Sequence, residues 1–284
     1  MLAVHESEGG WNTSPYVHMG ESFYSIVSDY TVQLSVPAHY TVISTGVVTD
    51  IKEENNKNIW IIDAPCARDF TVVAGPDFNM LSAQVDGIKI KSYYMGNDVL
   101  YGEHMLTAGI DAMKAFNEAF GRYPYPEINI VQTPLFLGGM EYIGLVMIGP
   151  GLEMFHYEDE DMQYYNVRRI TAHELGHQWF YGIVGNNTYS EPWLDEAFAS
   201  FSEYVYLEAT GRRNDVENET LARRSSVSVT PINWQYDEYF DEWEYFSIVY
   251  NNGALMLYDL RQVMGKELFY DMMRNYVARM PLKM

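Results

Sequence analysis

Residues 173–177 read His-Glu-Leu-Gly-His, a spacing that on a helix sets two imidazoles one turn apart on the same face. Two such imidazoles can share one metal ion, and a carboxylate beside them can take a proton from water held there. The pattern points to metal-assisted hydrolysis, with Glu174 as the base. The competing reading is a pair of core histidines on an amphipathic helix. It leaves Glu174 unexplained in a stretch that runs on into Gln178-Trp179-Phe180. The single cysteine, Cys66, supplies no thiolate pair, so a zinc ion here would be held by histidine and carboxylate.

A catalytic zinc takes three protein ligands and keeps one position open. Glu196 is the leading third candidate, in Trp193-Leu194-Asp195-Glu196-Ala197 on the next expected helix, with 18 residues between it and His177. The loop containing Gly185 and Asn186 lets the two helices pack antiparallel, with Glu196 towards the histidines. Asp195 is the alternative; it lies about 100° round the helix from Glu196, so only one of the two can point at the metal. Glu203 is seven residues beyond Glu196, on the same face, where it either hydrogen-bonds the free nitrogen of a ligand histidine or is simply solvated. His5, His18, His39, His104 and His156 show no ligand spacing and read as structural or surface residues.

These groups need a helix, a loop and a second helix to carry them. The first helix is expected to start in the acidic run Glu158 to Asp161, at the positive end of its dipole, and to continue past His177 towards Gly182. The second begins near Ser190 with Pro192 in its first turn and stops at Gly211, and two or three more follow, punctuated by Gly265. Upstream, residues 98–120 carry apolar side chains at helical spacing and end at Gly121. Strands are expected at Glu127 to Gln132 and, after the Gly138-Gly139 turn, at Glu141 to Ile148. Before Gly96, short β-rich runs at Tyr30 to Pro37, Tyr40 to Val48, Asn58 to Ile62, Phe70 to Val73 and Ile88 to Tyr94 read as an antiparallel sheet. The fold class is α+β: an antiparallel β domain over residues 1–95, then an α+β domain over residues 96–284.

The chain's 284 residues, 48% of them hydrophobic, suffice for two modest domains. A net charge of −21 argues against a nucleic-acid binder, which needs a Lys/Arg footprint to meet phosphate. No stretch approaches the roughly 18 apolar residues of a membrane span, and MLAVHESEGGW lacks the basic-then-apolar form of a signal peptide.

With these residues in place, the sequence resembles the aminopeptidase N and leukotriene hydrolase family of gluzincin zinc metallopeptidases. That family's signature is H-E-x-x-H, 18 residues, then Glu, and the run HELGHQWFYGIVGNNTYSEPWLDEAFASFSEY is similar to it and its flanks. GESFYSIVSDYTVQLSVPAHYTVISTG resembles the later part of the family's N-terminal β domain. Gly138-Gly139-Met140-Glu141-Tyr142 resembles its G-x-M-E-N motif, and Tyr250-Asn251-Asn252-Gly253 its Y-E-K-G motif. The resemblance implies a thermolysin-like zinc catalytic domain after a partial β domain, with a C-terminal helical domain missing. It implies one zinc per chain on His173, His177 and Glu196, with Glu174 as base and Tyr250 as donor to the transition-state oxyanion. It further implies Glu141 as anchor for a substrate's free ammonium, with Gly138, Gly139 and Met140 beside it on the peptide. Two departures stand out: Tyr142 replaces the motif's Asn, and Asn251-Asn252 replace its Glu-Lys.

The function implied is an aminopeptidase acting on peptides with a free N-terminus. The alternatives are a zinc endopeptidase or an epoxide hydrolase on the same site, or a non-catalytic peptide-binding member of the fold. Residues 173, 174, 177 and 196 are all intact, which argues against the last.

Overall fold

Two short strands, β1 (Val4–Glu6) and β2 (Gly10–Asn12), pair antiparallel near the start of the chain. The computed structural model describes residues 4–6, 9–22, 24–135, 138–149 and 160–280. They divide into a sheet unit, residues 27–118 and 122–178, and a helical unit, residues 1–26, 119–121 and 179–284.

In the sheet unit, β3 (Ser28–Pro37) alternates more and less exposed positions, as a strand with one covered face must. The expected run Tyr40 to Val48 is split into β4 (Thr41–Ser44) and β5 (Val47–Glu54). The break is at Gly46, whose positive φ of 83° and close approach to the Asp63 carbonyl admit no side chain. β6 (Lys57–Ala67) follows β5 through Asn55 and Asn56, both at positive φ, a turn that suits the twist of a hairpin. β3, β6 and β5 form one antiparallel sheet, and β4 pairs with β7 (Val72–Gly75).

The second sheet sets β11 (Gly139–Met140), β12 (Leu145–Ile148), β10 (Glu127–Gln132), β9 (Ile88–Met95) and β8 (Phe78–Val85) side by side in that order. Its edge strand β8 (Phe78–Val85), absent from the sequence reading, turns at Asp86-Gly87 into β9 (Ile88–Met95). α1 (Val99–Phe120) then carries the chain over to β10 (Glu127–Gln132), parallel to β9. Such a parallel neighbour requires a crossover of this length. α1 buries Ala108, Ala112, Met113 and Phe116, and Gly109 lets it close on the sheet, where a Cβ would meet Ile130 at 2.6 Å. A fully buried ring such as Phe116 stabilises by about 2–3 kcal/mol.

The expected strand Glu141 to Ile148 is instead a hairpin. β11 (Gly139–Met140) precedes Glu141, a turn at Ile143-Gly144 intervenes with Gly144 at φ +72°, and only β12 (Leu145–Ile148) is strand. α2 (Glu160–Gly176) presents Val167, Thr171, Ala172 and Leu175 inward and stops short of the expected extent towards Gly182. Of its expected acidic start, Glu158 and Asp159 lie outside the described residues, as does His156.

The helical unit is organised on α3 (Trp193–Ala209), with Pro192 at its N-cap and Gly211 beyond its end, as expected. α4 (Arg213–Ser225) follows, then a 3-10 turn (Tyr236–Glu238) and α5 (Glu242–Phe246), whose N-cap Asp241 accepts from the Glu244 amide. α5 runs into a π-helix (Ser247–Asn252), then α6 (Gly253–Met264) and, after Gly265, α7 (Lys266–Arg279). α6 packs on α3 through Gly253, where a Cβ would sit 2.4 Å from that of Ala197. The α+β class expected from the sequence is the one observed. Among the described residues no helix is long and apolar enough to cross a membrane.

Candidate metal centre and substrate cleft

On α2 the i, i+4 spacing brings the Nε2 atoms of His173 and His177 to 3.3 Å from one another. Zinc–nitrogen bonds of about 2.0–2.1 Å in a tetrahedral site place neighbouring nitrogens about 3.3–3.4 Å apart, so the pair is already spaced for that ion. His177 is 1% exposed and continues the helical bond to the His173 carbonyl although α2 ends at Gly176. Among the described residues of the sheet unit, Glu141, Glu174 and His177 each offer a ligand atom, all within 4.8 Å of one another. Two imidazoles and a carboxylate are a donor set that suits zinc.

Glu174 is buried against the backbone of β11. A Cβ on Gly139 would fall 2.4 Å from Glu174 Oε1 and 2.5 Å from its Cδ and Cγ, so only glycine leaves room for the carboxylate. Gly138, at φ +26°, accepts from the Gly149 amide and closes the hairpin, while Met140 pairs with Met147. Glu141 follows immediately; its side chain is 3% exposed, and its Oε1 is buried without a hydrogen-bond partner. A buried carboxylate oxygen left so is costly until a donor or cation arrives.

The sequence reading missed Gln178. Its amide donates to the carbonyls of Glu141 and Tyr142 (3.2 and 3.1 Å) and accepts from the Gly144 amide (2.9 Å). One side chain, next to His177, thereby fixes the loop that holds Glu141. A Gln following the second histidine was the only available signal, and a sequence gives no hint that its partners lie more than thirty residues upstream.

In the helical unit, α3 buries both Asp195 and Glu196 in its first turn. The Tyr250 hydroxyl hydrogen-bonds Glu196; loss of solvent first, and the Glu196 charge second, push that hydroxyl well above the ordinary tyrosine range. The hydroxyls of Tyr236 and Tyr245 lie 2.8 Å apart beside it and are likewise pushed up, chiefly by burial. These rings belong to an apolar cluster with Tyr189, Tyr239, Ile248 and Val249, against which Tyr250 packs. Glu203 accepts from Arg223 at 3.0 Å in a buried ion pair. Asn251 and Asn252, where the resemblance has Glu-Lys, donate to Ser226 Oγ and the Ser228 carbonyl and fasten the Tyr250 turn to the chain after α4.

Comparison with known proteins gives a consistent result. The Peptidase family M1 domain matches residues 104–283. Puromycin-sensitive aminopeptidase of Caenorhabditis elegans is 29% identical over 222 residues, covering 73% of this chain and 23% of that protein. Aminopeptidase M1 of Arabidopsis thaliana is 26% identical over 271 residues, covering 87% and 30%. The chain thus spans under a third of these relatives' own length. Among solved structures, the M1 zinc metallopeptidase from Deinococcus radiodurans superposes with a TM-score of 0.71 at 21% identity, over 91% of this chain and 58% of that one. With a family match over more than half its residues, the chain belongs to peptidase family M1.

Proposed function

We propose that this chain carries the catalytic site of a zinc-dependent aminopeptidase, with one ion held by His173, His177 and Glu196. The division into a β domain over residues 1–95 and a catalytic domain over residues 96–284 is part of the proposal. Zinc bound there supplies a water of lowered pKa as nucleophile and a Lewis acid for the scissile carbonyl. Glu174, held by α2 against Gly139, takes the proton from the attacking water and later gives it to the leaving amine. Tyr250, whose hydroxyl stands beside Glu196, donates to the oxyanion. Among the described residues β11 is the edge of its sheet, so an extended peptide can add to it as a further strand.

The observation that carries the exopeptidase reading is the Glu141 carboxylate: buried, one oxygen without a partner, directly after that edge strand. A substrate ammonium satisfies it with a charge-assisted bond and thereby sets the scissile bond one residue from the chain end. The test compares hydrolysis of one short peptide with a free and with an acetylated N-terminus. A strong preference for the free amine that Glu141→Ala removes is expected. Equal cleavage of both peptides would leave a zinc endopeptidase.

A further inference from the structure

Tyr250 stands on a π-helical turn, Ser247–Asn252, which is the one such turn among the described residues. A π-turn is wider than an α-turn and interrupts the usual ladder, so its backbone depends on outside partners to hold one geometry. Arg223, buried near the end of α4, supplies that hold. Its Nη1 donates to the Tyr250 carbonyl at 2.9 Å, and its Nη2 to Glu203 Oε2 at 3.0 Å. Its guanidinium also lies over the Tyr204 ring, 5.4 Å from the centroid.

Glu203 and Glu196 are two turns apart on α3. Tyr250 is consequently tied to α3 twice: its hydroxyl directly to Glu196, its carbonyl through Arg223 to Glu203. From this closed ring of contacts we infer that Arg223 is a positioning residue, setting where the Tyr250 hydroxyl stands through the backbone of the π-turn. The inference rests on the reading of Tyr250 as oxyanion donor. A fork that serves two different acceptors is work for arginine; lysine's single ammonium keeps the charge opposite Glu203 and loses the second contact.

Arg223→Ala removes the guanidinium opposite the buried Glu203 carboxylate and endangers the fold, so the test uses Arg223→Lys, with Arg223→Met/Glu203→Gln as a second variant that removes the pair together. Each is made in the wild-type and the Tyr250→Phe background. Zinc content, KM, kcat and amide hydrogen exchange over residues 247–253 are measured. Expected are full zinc, KM within about twofold, kcat down about tenfold or more, and faster exchange in that segment. In the Tyr250→Phe background the further drop in kcat should disappear, because the displaced group is already gone. An equal fold-loss of kcat in both backgrounds, or unchanged kcat in both Arg223 variants, overturns the inference while leaving the aminopeptidase reading in place. Wild-type kcat in Tyr250→Phe alone would instead remove the oxyanion role, and with it the role of Arg223.

Discussion

Replacing Gly139 with alanine adds one methyl group where the Glu174 carboxylate stands. Gly139 does not have a positive φ, so alanine fits its backbone and the clash with Glu174 is the whole perturbation. The new Cβ begins 2.4 Å from Oε1 and 2.5 Å from Cδ and Cγ, and ordinary contact requires about 3.5 Å, so the side chain must retreat by about 1 Å. Because the clash includes Cγ, turning the carboxylate about its last bond does not relieve it. A misplacement of that size at a reacting group lowers kcat by about 100-fold, or about 2.7 kcal/mol of transition-state stabilisation. The cost to folding is that of a single overpacked methyl, about 1–3 kcal/mol, and the histidines are untouched. The assay is steady-state hydrolysis of a short free-amine peptide, with zinc content and thermal unfolding measured on the same preparation. A kcat within twofold of wild type, with zinc bound, would show that Glu174 need not stand where β11 holds it, and the argument for it as the base would fail.

Glu174→Gln should keep one zinc per chain and lose most turnover, since an amide cannot accept the water's proton, whereas His177→Ala should lose the metal; metal analysis beside kcat separates the two. Tyr250→Phe should lower kcat by about 100-fold with KM little changed, and an increase in KM alone would refute the oxyanion role. His104, stacked on Tyr164 at 4.1 Å, is lowered from 6.5 by burial and then by the Arg168 charge. Its folded state prefers the neutral ring, so its contribution to stability is present above the unfolded pKa and is lost as pH falls from about 6.5 through the folded value. Denaturant titrations at pH 7.5 and 5.5 should show a smaller acid loss in His104→Gln than in wild type, and an NMR midpoint for His104 at or above 6.5 would contradict this.

The candidate metal ligands could be proposed from sequence because their chemistry is local: a four-residue spacing on one helix and a carboxylate on the next. β10 and α1 were legible for the same reason, an apolar pattern of one period bounded by a clear stop. What pattern did not reveal was where the pattern ends. α2 stops at Gly176 because the chain turns there, with the backbone N–H of Gln178 reaching back only to the Leu175 carbonyl and Tyr181 at φ +138°. The strand drawn through Glu141 breaks because Gly144 takes a positive φ and Gln178 ties up the adjoining carbonyls, a contact between segments more than thirty residues apart. Arg223 was invisible for a related reason: on α4 it reads as one of several surface cations, and only packing shows it buried between α3 and the π-turn.

An open sheet edge invites any extended chain, including another molecule of the same protein, and long bare edges template aggregation. β11 is two residues long, closed behind by Gly138 and followed at once by the buried Glu141. Stacking copies edge to edge needs a longer run of backbone than this, and it would seat a neutral strand beside a carboxylate that calls for a cation. On the proposed reading, the same brevity that suits capture of a peptide's first residues disfavours edge-to-edge pairing between copies of β11.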